Sequence, residues 1–302
     1  YPLYPAAVIL PTLAAVVILL DVPPLVWHAR NRNLAAFSLV SWIILLNLFN
    51  FVNPLIWPRD DIPNWWNGEG LCDIQARLIV GASVGVPGCM LCIMLSLARV
   101  LDTDRGDLTP TKSQRFRRRL MELLLCFGFP IVIMIVYYVV QSRRYWIHGI
   151  AGCNWDYHPS WASIVVVLVW PTVLEVFDAI IAALVITRLF KYHKDFASIL
   201  EASNTTASRF VRLFCMTLIL IVGTLPVQVY VLAYNMSGPL QPYSWSEVHG
   251  DSWDTIMTVP SYGTVLFYRW TWIVMGFLVF VFFGMGRDAS SMYRRWLEKL
   301  GF

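Results

Sequence analysis

Apolar residues in this chain fall into long, nearly pure blocks separated by short polar connections, blocks too long and too pure for the core of a soluble domain. A helix that crosses a bilayer needs about 20 predominantly apolar residues, because the hydrocarbon core is about 30 Å thick and each helical residue rises about 1.5 Å. Seven blocks meet that requirement: Leu3–Trp27, Leu34–Trp57, Leu71–Leu101, Leu120–Val140, Trp161–Phe190, Arg209–Tyr234 and Ser261–Gly286. The pattern predicts an all-α membrane protein, a seven-transmembrane helix bundle over residues 1–286 as one domain. Beyond it, Met292, Trp296 and Leu300 share one face of a helical 287–302 segment with charges opposite. That describes a short amphipathic helix lying along the cytoplasmic membrane surface.

Composition agrees: of 302 residues 58% are hydrophobic and only 14% charged, against about 25% charged in a soluble domain. The net charge of +4 is too small to suggest nucleic acid as a partner, and its placement says more. Arg30 and Arg32, the cluster Arg105 to Arg119, the stretch Arg188 to Arg209 and the tail Arg287 to Lys299 all follow odd-numbered spans. The connections after even-numbered spans hold only Arg59, Arg143 and Arg144. Cationic loops stay in the cytoplasm. The N-terminus is therefore expected outside the cell and the arginine-rich end inside, in the plasma membrane.

Cys89, Cys92, Cys126 and Cys215 lie within spans, where a thiol is a small apolar side chain. Cys72 and Cys153 are the two expected on the oxidising outer face. A Cys72–Cys153 bridge would pin the connection carrying Trp155 and Tyr157 over the mouth of the bundle; the alternative is two free outer thiols. Arg77 follows Asp73 by four residues, the favourable order for a helical pair, and Gly81 and Gly85 continue as a small-residue surface. Arg77 is thus either locally paired with Asp73 or a polar anchor in an outward-facing cavity. Glu175 and Asp178 share a face of the fifth span, and an Arg269–Glu175 link requires their depths to match. Asn47, Asn50 and Asn53 stripe the second span, as interhelical glue or as a ligand surface. Pro226 should loosen the sixth helix and is a hinge candidate, with Gln228 and Tyr230 just outward of it.

All lysines fall in cytoplasmic connections, so a retinal Schiff base has no donor. No His/Asp/Glu cluster lies within a span, no glycine loop cradles phosphate, and no serine has a base nearby. No cofactor, metal or enzymatic activity is expected. The remaining contest sets a receptor against a polytopic transporter of a small or lipidic substrate. An odd helix number, no internal repeat and a basic inner surface suited to an acidic protein partner and to membrane lipid favour the receptor.

Four words then carry a resemblance: GEGLCDIQARL at 68–78, RNRNL at 30–34, SRFVRL at 208–213 and FFGMGRDA at 282–289. They resemble the fungal mating-pheromone receptors of the a-factor type, G-protein-coupled receptors of the fungal class, over essentially the whole chain. The family typified by rhodopsin fits badly. Ala98-Arg99-Val100 stands where its acidic-Arg-aromatic triplet would close the third helix, and the seventh span has no Asn-Pro-x-x-Tyr. The resemblance implies a farnesylated, methyl-esterified peptide pheromone as ligand and a heterotrimeric G protein inside; homodimerisation stays open. Ligand-contacting candidates are Arg77, Trp155, Tyr157, Gln228, Tyr230, Tyr262, Tyr268 and Arg269, while Trp57, Trp65 and Trp66 are further outer aromatics. Arg99, Arg115, Arg117, Arg188, Arg209 and Arg212 are expected to face the G protein, with ligand shifting the helices about Pro226.

Overall fold

Seven helices long and apolar enough to cross a membrane follow one another in the computed structural model: α1 (Ala6–Arg30), α2 (Leu34–Ile56), α3 (Leu71–Val100), α4 (Lys112–Val140), α5 (Trp161–Lys191), α6 (Ala207–Ser237) and α7 (Phe267–Gly284). The structure describes residues 1–102, 111–192, 194, 196, 206–251 and 253–285. The amphipathic helix expected over 287–302 lies outside the described residues.

Two helix starts differ from the hydropathy pattern, each because of hydrogen bonding. α4 begins at Lys112 rather than Leu120, since Thr111 caps it: its hydroxyl accepts from the Gln114 amide, and the Gln114 side chain accepts from the Thr111 amide. The first turns of α4 are therefore the arginine-rich segment itself. α7 begins at Phe267 rather than Ser261, because the Asp60 carboxylate accepts from the Ser261 and Tyr262 amides at 2.8 Å each. Tyr262 and Gly263 take φ of 47° and 79°, which a right-handed helix cannot accommodate.

α3 is the central helix, with most of its length buried. At Gly85 an added Cβ would collide with the Trp42 indole, so glycine is what lets α2 close on α3. Trp42 then reaches past it, its Nε1 donating to the Cys126 carbonyl of α4 at 3.2 Å. The asparagine stripe is glue. Asn47 and Asn50 donate to the Trp272 and Arg269 carbonyls of α7 at 2.9 and 2.8 Å. Asn53 exchanges two 3.0 Å hydrogen bonds with Gln75 of α3 and donates to the Ala151 carbonyl at 2.8 Å.

One end of the bundle is capped by a small sheet that the all-helical reading lacked. β1 (Trp146–His148) runs antiparallel to β2 (Gly152–Asn154) and parallel to β3 (Met257–Val259), in the order β2-β1-β3. A disulfide joins Cys153 of β2 to Cys72 at the start of α3, with Cα atoms 5.1 Å apart. Arg144, just before β1, forms a fork on Asp73, Nε and Nη2 each 2.8 Å from a carboxylate oxygen, and reaches Glu69 at 3.3 Å. The opposite end carries the arginine-rich first turns of α4.

Candidate ligand cavity and basic end

Below the cap lies a cavity of about 250 Å³ enclosed by α2, α3, α5, α6, α7 and Trp155 of the α4–α5 connection. Each helix contributes one face at helical spacing: Ile79, Ala82, Ser83 and Val86 from α3; Thr224, Val227, Gln228 and Val231 from α6; Tyr268, Thr271, Trp272 and Met275 from α7. The lining is apolar and aromatic apart from a few hydroxyls, Gln228 and the carboxyl of Glu175. Glu175 is 2% exposed, and its Oε2 has no hydrogen-bond partner among the described residues. A buried carboxyl oxygen with its acceptor lone pairs unused favours any occupant that brings a donor.

The cavity opens sideways. Beyond Ile221 no residue of α6 is buried, and Val227, Val231 and Phe267 at the α6–α7 gap are exposed. An apolar chain could pass.

Of the residues chosen from sequence, Trp155, Gln228 and Tyr268 line the cavity. Arg269 lies directly behind it, fully buried, its Nη2 donating to the Cys153 carbonyl at 2.7 Å, with its charge over the rings of Tyr268 and Trp272. Tyr268 itself donates to the Asn154 side chain. The Arg269–Glu175 link is not formed; the guanidinium is turned to the cap instead. The structure does not bring Arg77, Tyr157, Tyr230 or Tyr262 to the lining. Arg77 is not paired with the Asp73 carboxylate, which Arg144 occupies; its Nη1 donates to the Asp73 carbonyl at 3.1 Å. Tyr157 stacks on Trp155 and donates to Asn235 at 2.7 Å, lining a separate hollow between α5 and α6. Tyr230 and Tyr262 are 68% and 77% exposed. Glu175, Thr271, Trp272 and Met275 are cavity residues absent from the sequence-based set.

Within the cap, burial pushes the His148 imidazole below its usual range, Arg269 adding to the effect, while the Gly149 carbonyl and Asp60 pull the other way. The unfolded chain therefore takes up the proton first. The cap is most stable above about pH 6.5 and loses stability as the pH falls toward the lower folded value. A lower thermal midpoint at pH 5.5 than at 7.5 is expected, with the difference reduced in His148→Gln; identical pH dependence in both proteins would exclude His148 as its source.

At the basic end, Arg188 of α5 ties down the end of α3: Nη1 donates to the Ala98 carbonyl at 2.6 Å and Nη2 lies 3.3 Å from Asp102. That carbonyl is at a helix C-terminus, where a cation is favoured. Arg209 packs its guanidinium over Trp27 of α1, 4.9 Å from the ring centroid. Arg115 and Arg117 are exposed on the first turns of α4, while Arg99 and Arg212 are half-buried.

A seven-helix bundle with a disulfide-pinned cap, an apolar cavity beneath it and a basic far end belongs to the class of polytopic membrane proteins. Residues 9–301 match the family model described as pheromone A receptor (STE3), and the chain belongs to that family, whose members are receptors and not enzymes. It is 32% identical over 304 residues to the pheromone a factor receptor of Saccharomyces cerevisiae, covering 99% of this chain and 63% of that one. It is 29% identical to the pheromone B beta 1 receptor of Schizophyllum commune, covering 91% of this chain and 52% of the relative. Pheromone receptor 1 of Mycosarcoma maydis is 27% identical over 95% of this chain and 82% of its own. The chain thus spans 63% and 52% of the length of the first two relatives.

Proposed function

We propose that this chain is the membrane domain of a G-protein-coupled receptor for a farnesylated peptide mating pheromone, seated in the plasma membrane with its N-terminus and cap outside. The observation that carries the reading is the apolar cavity open toward lipid between α6 and α7. A prenyl chain partitions into the bilayer and gains about 25 cal/mol for each Å² of apolar surface it buries, so it can arrive through that gap. Trp155, Gln228 and Tyr268 would contact it, with Arg269 holding the wall, and Glu175 would accept from a peptide N–H. Arg77, Tyr157, Tyr230 and Tyr262 lie outside the cavity lining and would meet only a part of the pheromone that extends beyond it.

Occupation would favour a different setting of the outer half of α6. Pro226 supplies no amide to the Val222 carbonyl and lies between the cavity residues Thr224 and Val227, so it serves as the hinge. The inner half of α6 would then move away from α3 and α5, and Arg99, Arg188, Arg209 and Arg212 would be uncovered to a heterotrimeric G protein, with Arg115 and Arg117 beside them. Arg188 joins α5 to the end of α3 and would hold those two walls of the cleft together in the resting arrangement. Arg188→Gln should raise agonist-independent nucleotide exchange about fivefold, the effect of losing about 1 kcal/mol of charge-assisted bonding. Unchanged basal exchange at matched receptor concentration would remove Arg188 from that role.

The direct test adds a synthetic farnesylated, methyl-esterified peptide to purified receptor and G protein. Faster nucleotide exchange is expected, and none with the unprenylated peptide. Uptake of labelled peptide into receptor vesicles without any exchange would identify a transporter instead.

A further inference from the structure

We propose that the hollow at the basic end, between the α1–α2 turn and the start of α4, binds the phosphorylated headgroup of an anionic membrane lipid. It encloses about 610 Å³, within the range of sites that hold small ligands. Its polar wall is Arg32 from the turn, Arg115, Arg118 and Arg119 from α4, and His28 from the last turn of α1, with Glu122 the one carboxylate among the lining residues. Its apolar wall is Ala29, Leu34, Phe37 and Leu123.

Three observations point to an anion as the occupant. Arg32, Arg118 and Arg119 make no side-chain hydrogen bond or ion pair among the described residues, although Glu122 is near enough to feel the charges of Arg118 and Arg119. His28 is 2% exposed, and neither of its ring nitrogens has a partner among the described residues, though it lines the hollow. Trp27 and Phe283 hold its ring edge-on, with centroids 4.8 and 4.4 Å away, so it cannot simply turn to water. Asn33, which caps α2, also lines the hollow, so the positive end of that helix faces the same space. A phosphate monoester supplies several acceptor oxygens and enough negative charge to offset the guanidinium groups.

Depth separates lipid from protein as the occupant. The arginines of α4 precede its apolar part, which starts at Leu120, and Leu123, Leu34 and Phe37 belong to the membrane-entering turns. The hollow therefore straddles the level where headgroups give way to acyl chains, and Phe116 and Leu124 beside it are exposed as lipid-facing residues. Basic pockets between helices at that level suit phosphorylated headgroups. No residue of α3, α5 or α6 contributes to it, and of the residues proposed to face the G protein it takes in Arg115 alone. Assigning it to the inner leaflet rests on the orientation proposed above; the site itself does not.

Receptor purified in detergent and titrated with dioctanoyl phosphatidylinositol bisphosphate, with bound lipid counted by native mass spectrometry, tests this without agonist or G protein. One saturable lipid per chain is expected. Arg118→Gln and Arg119→Gln should each weaken it about fivefold while melting like wild type in the absence of lipid, and Arg117→Gln, on the same helix but outside the hollow, should leave it unchanged. Phosphatidylserine should bind more weakly. Equal weakening by Arg117→Gln would reduce the effect to diffuse attraction and overturn the proposal. So would competition by soluble inositol trisphosphate as strong as by the intact lipid, which would make the occupant a free phosphate. Unaltered lipid binding in Arg118→Gln and Arg119→Gln would equally overturn it, and loss of nucleotide exchange by the same variants in a separate assay with purified G protein would then make the hollow a protein contact.

Discussion

Cys153→Ser is expected to lower the thermal midpoint of the receptor sharply and to abolish its response to agonist. The bridge to Cys72 closes a sequence separation of 81 residues, for which chain entropy allows a stabilisation of up to about 4.5 kcal/mol. In a bilayer the unfolded reference keeps much of its helix, so a loss of about 2 kcal/mol is the expected size. The functional loss should exceed what stability alone predicts. The Cys153 carbonyl is an acceptor for buried Arg269, Asn154 accepts from Tyr268, and Trp155 lines the cavity two residues on. Freeing β2 would release all three contacts together. Cys72→Ser should match Cys153→Ser, and the double variant should be no worse than either. A double variant much worse than the singles, or any single that melts and signals like wild type, would show that the bridge does not hold the cap.

Gly223→Phe should do the opposite to stability and almost the same to function. Gly223 lines the cavity in the middle of α6, and a Cβ built there meets nothing within 4 Å. A larger residue fits without strain, and removing a mid-helix glycine stabilises by up to about 1 kcal/mol. The ring would occupy the opening that the ligand needs. If it displaces about 100 Å² of ligand contact, affinity falls by about 2.5 kcal/mol, roughly 70-fold. The expected signature is an unchanged or raised thermal midpoint with agonist potency lowered by one to two orders of magnitude at matched surface expression. Wild-type potency would place the ligand elsewhere.

The helices were legible because the bilayer imposes a length and purity on each span that nothing else in the chain mimics. The disulfide was legible by location, since Cys72 at the first turn of the third block and Cys153 in a connection are the two cysteines expected on the outer face. The starts of α4 and α7 were not, because hydropathy does not register a Thr111 capping box or an Asp60 carboxylate reaching Ser261 from about 200 residues away. Nor was the sheet: its strands are three residues each, and β1 pairs with β3 across more than a hundred residues. In the cavity, choosing residues by chemistry recovered Trp155, Gln228 and Tyr268 but admitted Tyr230. Two residues after Gln228 on a helix means about 200° of rotation, so Tyr230 cannot share its face. The spacing that includes Tyr268, Thr271, Trp272 and Met275 was present in the sequence, and a face-by-face reading would have found it. What the sequence leaves open is which faces turn toward one another, which depends on contacts such as Gly85 against Trp42.

Photo-crosslinking the intact receptor with a pheromone peptide whose prenyl group carries a photoreactive diazirine tests the ligand cavity most directly. Labelled peptides should map to the cavity faces of α6 and α7, around Thr224 to Val231 and Tyr268 to Met275, and unlabelled agonist should suppress them. Saturable labelling confined to α4, or to the exposed residues Tyr1 and Tyr262, with none on those two faces, would contradict a ligand that enters between α6 and α7.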